Sequence, residues 1–119
     1  MIDLPEGFTW VKVALLDDLT LGTGYEFTHK GRAYALFQSG DRVSVLDGLC
    51  PHQKAHLADG LVDLQRKTVT CPRRGCLRWR FCLETGANAD GLAVACSVHP
   101  VKVEASVVFV GLPDDSPGV

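Results

Sequence analysis

Little in this chain reaches for a polyanion or a lipid surface. Twelve basic residues against 14 acidic ones leave a net charge of −2, too small to supply a global attraction to nucleic acid or an anionic membrane. No apolar run approaches the roughly 20 residues a membrane-spanning helix requires. The opening Met1-Ile2-Asp3-Leu4-Pro5-Glu6 lacks the basic-then-apolar order of a secretory leader, so the chain is expected in the cytoplasm, with no membrane and no nucleic acid as partner. Catalytic signatures are missing as well. There is no G-x-S-x-G elbow, no P-loop, and no G-x-G-x-x-G that follows a strand and opens a helix. This excludes the familiar hydrolytic, phosphoryl-transfer and dinucleotide machinery. Apolar recurrence at helical period is confined to one turn's worth of sequence at residues 15–19.

What is present is a single-domain supply of apolar residues and an odd number of thiols. With 119 residues, 46% hydrophobic and 22% charged, residues 1–119 read as one globular domain. Five cysteines in a chain expected to stay in a reducing compartment argue against a disulfide framework and leave metal ligands or reduced buried thiols. Cys82 and Cys96 read as packing residues, since an unoxidised cysteine behaves as a small hydrophobe.

Short strands punctuated by turns organise the rest. Residues 10–14 alternate, 25–28 and 33–37 flank the turn His29-Lys30-Gly31-Arg32, and 43–46 follow Ser39-Gly40-Asp41 and end at Asp47-Gly48, the period and punctuation of antiparallel strands. Residues 61–63 and 68–70 pair across Gln65-Arg66-Lys67, residues 78–83 alternate, and a last pair spans 98–104 and 107–110. Residues 112–119 read as a turn-rich polar tail. The fold class is therefore all-β and antiparallel. Arg66, Lys67, Arg73, Arg74, Arg78 and Arg80 supply half of the 12 basic residues, with no acid between Asp63 and Glu84. Such a run reads as a solvated face, or as a docking patch for an acidic partner. Trp79 and Phe81, set among these arginines, could stack bases, yet their i, i+2 spacing on a strand reads more simply as a core-facing pair.

Two loops carry the chemistry. Leu49-Cys50-Pro51-His52, with Ala55, Leu57 and Gly60 downstream, is followed by Thr70-Cys71-Pro72, Gly75 and then Trp79-Arg80-Phe81 with Leu83, Thr85 and Gly86. This pattern resembles the Rieske [2Fe–2S] ferredoxins, including the soluble ferredoxins of aromatic-ring dioxygenases and the small subunit of assimilatory nitrite reductase, in which a C-x-H and a C-x-x-H loop each give one thiolate and one imidazole. The resemblance runs from about Trp10 to Val110. It implies an antiparallel β-sandwich with a small subdomain carrying cluster-binding loops at about 49–58 and 70–80. Cys50 and Cys71 would bind the inner iron and His52 the outer one. It further implies a one-electron carrier, without catalysis of its own, that serves a redox partner protein: a reductase, an oxygenase or the nitrite reductase large subunit. Position 55, where high-potential relatives place a loop-bridging cysteine, is Ala, so that disulfide is not expected.

The pattern breaks at two places. Arg74 stands where the second histidine is expected, and a guanidinium protonated at ordinary pH offers no lone pair to a metal. Cys76-Leu77-Arg78 then interrupts the family's step from Gly75 into the Trp79 strand. Cys50, His52, Cys71 and Cys76 would together make a Cys3His set suited to a [2Fe–2S] cluster or a tetrahedral zinc. Four arrangements stay open: a cluster with Cys76 or another substitute, a mononuclear metal, a cluster beside Arg74 with solvent or an unusual fourth ligand, and a cluster-free fold acting as a structural or regulatory subunit. His56 reads as a surface residue or a spare ligand, His29 as solvated, and Cys96-x-x-His99 as chance, because residues three apart on a strand face opposite ways.

Overall fold

The computed structural model describes residue 4 and residues 6–39, 42–50, 55–72, 79–89, 91 and 94–113. Its strands are β1 (Phe8–Leu15), β2 (Gly24–His29), β3 (Arg32–Ser39), β4 (Arg42–Asp47), β5 (Leu61–Asp63), β6 (Thr68–Thr70), β7 (Arg80–Cys82), β8 (Val98–His99), β9 (Val101–Glu104) and β10 (Val107–Pro113). They form three sheets, ordered β1-β10-β9, β2-β3-β4-β8 and β5-β6-β7, and every pairing is antiparallel. The only helical pieces among the described residues are two short 3-10 turns, Leu16–Asp18 and Leu57–Asp59.

The β2-β3-β4-β8 sheet lies in the middle, because both of its faces are covered. On β3, Tyr34 and Leu36 point to one side and join Val45, Val108, Val110 and Leu112 in one core. Ala35 and Phe37 point to the other and join Leu46, Leu57, Val69, Phe81 and Leu83. Successive strand residues face opposite ways, so a strand buried on both faces needs an unbroken apolar run. Ala33-Tyr34-Ala35-Leu36-Phe37 is that run, and positions 34–37 are at most 2% exposed.

Glycines set the closeness of the small sheet. A Cβ on Gly60, which ends the second 3-10 turn, would run into the carbonyl oxygen of Thr70 and stand 2.8 Å from Val69 Cγ2, so the exit of the first loop packs directly on the strand leading to Cys71. Gly86 has φ +75° and its Cβ would collide with the carbonyl oxygen of Cys96, a conformation and a contact open only to glycine.

The structure departs from the sequence reading where long-range pairing decides. The strand expected over 98–104 is two strands: β8 pairs with β4 in the middle sheet and β9 with β10 in the outer one. Pro100 divides them, since it has no N–H for a ladder, and its carbonyl accepts from Gly111 N at 2.9 Å. β10 also runs further than residues 107–110: Leu112 is fully buried and pairs with Thr9, so it belongs to the core and not to a polar tail. Residues 114–119 lie outside the described residues.

Phe37 is among the largest fully buried side chains and joins the middle sheet to the small one. Phe37→Ala is expected to cost about 3–5 kcal/mol of unfolding free energy, measured by denaturant titration. A loss below about 1 kcal/mol would mean that the two layers do not enclose it.

Candidate functional site

The first cysteine loop leaves β4 through Gly48 and Leu49 and is closed at its base by backbone hydrogen bonds. Cys50 N donates to Ala55 O at 2.8 Å and Leu57 N to Gly48 O at 2.9 Å, while Leu49 and His56 form an antiparallel bridge. The second loop is closed in the same way. Cys71 N donates to Trp79 O at 2.9 Å, one step beyond the Thr70–Arg80 pair of β6 and β7. Each cysteine thus spends its amide on pinching its own loop shut, which fixes where its sulfur can point.

Both thiols point inward. Cys50 is 0% and Cys71 3% exposed, and both belong to the core formed by Phe37, Leu57, Phe81 and Leu83, with Ala55 and Trp79 packed against it. Neither is in a disulfide. Trp79 and Phe81 meet edge-on at 6.5 Å between ring centres, and both pack on this core. His52, Arg74 and Cys76 lie outside the described residues, as do Arg73 and Arg78 of the basic run. Among the described residues no three Cys, His, Asp or Glu side chains converge closely enough to share a metal ion.

His56 is a surface residue. It opposes Leu49 across the bridge and so faces away from Cys50. Its Nδ1 lies 2.5 Å from Glu26 Oε1 on β2, with over half of its side chain in solvent. Hydrogen bonding to Glu26 and that residue's charge raise the His56 pKa, and the pair straps the first loop to the middle sheet. In the basic run, Lys67 is matched by Glu84 at 3.4 Å with both side chains exposed, a pair worth little in water. Cys82 was expected to pack as a buried thiol but is only partly buried. Burial raises its pKa, yet hydrogen bonds from the Thr85 side chain and the Glu84 and Thr85 backbone outweigh this and leave it below the usual thiol value.

Two features had no clear signal in the sequence. Asp47, three residues before Cys50, pairs with His99 Nε2 at 2.9 Å and accepts from Ser97 N at 3.2 Å, and Tyr34 meets the imidazole edge-on at 5.0 Å. The bond to His99 is the largest influence holding the Asp47 carboxyl below its ordinary pKa, against a smaller upward push from burial. The second feature is the set of neighbours of Cys96: buried as its reading as a packing residue implies, it lies in the same core as Cys50 and Cys71. His99, three residues on, turns instead to Asp47 and Tyr34. Only the packing of β8 on β4 brings these residues beside the first loop.

A model of the Rieske [2Fe–2S] domain matches residues 9–96. The ferredoxin component of the naphthalene 1,2-dioxygenase/salicylate 5-hydroxylase systems of a Ralstonia species is 30% identical over 96 residues, covering 80% of this chain and 88% of its own. The carbazole 1,9a-dioxygenase ferredoxin of Nocardioides aromaticivorans IC177 superimposes with a TM-score of 0.77 at 29% identity, over 86% of this chain and 96% of that one. A chain in the complex of reduced oxygenase and oxidized ferredoxin of carbazole 1,9a-dioxygenase gives a TM-score of 0.74 at 26% identity, over 84% of this chain and 99% of that one. With its antiparallel sandwich and two pinched cysteine loops, the chain belongs to the Rieske [2Fe–2S] domain family.

Because the Asp47 pKa is lower in the folded than in the unfolded chain, its contribution to stability is full above the ordinary carboxylate value of about 3.9 and is lost as pH falls through the folded value. Asp47→Asn should lower the Tm at pH 7 by a few degrees, for about 1 kcal/mol or less in this partly solvated pair. The gap from the parent should narrow on acidification below pH 4. A gap unchanged from pH 7 to pH 2, followed by circular dichroism, would assign the loss to packing alone.

Proposed function

We propose that this chain is a Rieske-type electron carrier, held in the cytoplasm, that passes one electron to a partner oxidoreductase through a centre bound by Cys50, His52 and Cys71. The observation that carries the reading is the burial of two cysteines, at the bases of two backbone-pinched loops, in one core. The donors fit the group. Thiolates are the ligands iron–sulfur clusters take, and neither Cys50 nor Cys71 is consumed by a disulfide. When bound, a [2Fe–2S] cluster supplies a site that accepts and returns one electron. The chain's own residues hold the two cysteines and exclude water from them with Leu57, Trp79 and Phe81.

Several facts support the remaining parts. The relatives named above are ferredoxin components of dioxygenase systems, and one was solved in complex with its oxygenase. The described cysteines Cys50, Cys71, Cys82 and Cys96 are not joined by disulfides, which suits a reducing compartment. No helix among the described residues is long and apolar enough to cross a membrane. For the fourth ligand we propose Cys76, the thiol nearest in sequence to Arg74, whose cationic side chain cannot coordinate.

Iron and acid-labile sulfide, assayed on anaerobically purified protein, test this. About two of each per chain are expected, with near-complete loss in Cys50→Ser and Cys71→Ser and a bleached or shifted visible spectrum in Cys76→Ser. Iron that survives Cys76→Ser would remove Cys76 from the ligand set. Protein without iron or sulfide would leave the cluster-free subunit as the reading.

A further inference from the structure

The strand β9 ends its sheet. It pairs with β10 on one side, and among the described residues no strand pairs with the other. The phase of that ladder is set by Gly111 N, which donates to Pro100 O at 2.9 Å. Alternate residues of an antiparallel strand bond to the same neighbour. Lys102 and Glu104 therefore spend their backbone groups on their opposites, Phe109 and Val107, while Val101 and Val103 turn theirs outward. The open edge borders a groove of about 450 Å³ whose lining includes Val43 of β4, Val98 and Pro100 as well as Val101 and Val103. Val98 is 40% and Val103 42% exposed. On this side of the middle sheet β8 pairs with β4 only at Val45 and Leu46, so the start of β4 has no strand beside it among the described residues.

Charged side chains on an edge strand commonly block further pairing. Here their order favours it. Lys102 and Glu104 project from one face of β9, with Nζ 3.1 Å from Glu104 Oε1, and the ammonium is held on the outer side of the sheet by the rings of Trp10 at 4.7 Å and Phe109 at 5.3 Å. We propose that β9 pairs antiparallel with β9 of a second copy of this chain, about a two-fold axis at Val103, joining two outer sheets into one. In that register the two Val103 residues exchange backbone hydrogen bonds. Lys102 stands opposite Glu104 of the second copy, and Glu104 opposite its Lys102. Opposite charges directly across a strand pair attract, whereas two like charges on β9 would repel their own copy. Because β9 has four residues, the contact is small and the dimer belongs to the weak, concentration-dependent class. The pairing uses no residue of the proposed metal centre.

The test is sedimentation equilibrium from about 10 µM to about 1 mM, the range in which weak complexes form, with a thiol reductant present so that no disulfide contributes. The parent protein should pass from monomer to dimer. Lys102→Glu and Glu104→Lys, each checked for folding by circular dichroism, should each weaken the dimer by about tenfold, since both symmetric pairs turn repulsive. An equimolar mixture of the two variants should recover it, because every contact across the axis is then attractive, and mixing cannot restore a pair within one chain. In the parent, hydrogen exchange at the Val103 amide should slow as concentration rises, while exchange at Lys102 stays as it was. A parent that remains monomeric throughout would overturn the inference. So would single variants that dimerise as the parent does, or a mixture that stays monomeric. Should either variant not fold, the Val103 exchange decides: protection independent of concentration overturns the pairing.

Discussion

Everything around the candidate site depends on β3 being buried on both faces. Tyr34 and Leu36 close one core while Ala35 and Phe37 close the other, so one strand is the floor of the outer sandwich and the wall behind the cysteine loops. A strand in that position tolerates no shift of register, since moving it by one residue would exchange the two sets of side chains between cores. The Ala35–Leu46 and Leu36–Val45 pairs to β4 carry the same register to Asp47 and onward to Cys50. The placement of the first cysteine is in this sense inherited from the hydrophobic alternation of β3.

Polar contacts then add what apolar packing cannot, which is direction. The two cysteine amides close the loop bases, Asp47 ties the approach to Cys50 onto Ser97 and His99, and Glu26 ties His56 to the middle sheet. These bonds differ in worth. The backbone closures are part of the ladder, the Asp47–His99 pair is partly shielded, and the His56–Glu26 strap is open to solvent and to salt screening. Among the described residues of the first loop, the backbone closure at Cys50 and Ala55 is thus the firmer tie and the His56–Glu26 strap the weaker one.

The strands, the all-β class and the two cysteine loops were legible because each is written locally, in alternation, turn residues and short motifs. Turn chemistry at 29–32 and the apolar run at 33–37 were enough to place the β2–β3 hairpin. What was not legible depends on partners far away in the chain. Residues 98–104 alternate like one strand, and only the competition between β4 and β10 for their backbone makes Pro100 a crossing point. Leu112 looked like the start of a tail because its burial is decided by β1. Asp47-Gly48 read as a turn, which hid the carboxylate's pairing with His99. Cys96 was expected to be buried, but nothing local indicated that its neighbours would be the two cysteines of the loops.

One feature of the topology bears on how the chain assembles. The first strand, β1, pairs with the last, β10, from Phe8 opposite Pro113 to Leu15 opposite Val107, whereas β5, β6 and β7 follow one another directly and sit between β4 and β8 in the chain. During synthesis β1 has no partner until β10 has left the ribosome, while the small sheet has all its strands well before. Closing so long a loop is slow. The part of the molecule that carries the cysteine loops can therefore take shape early, and the outer sheet is the step that commits the finished chain.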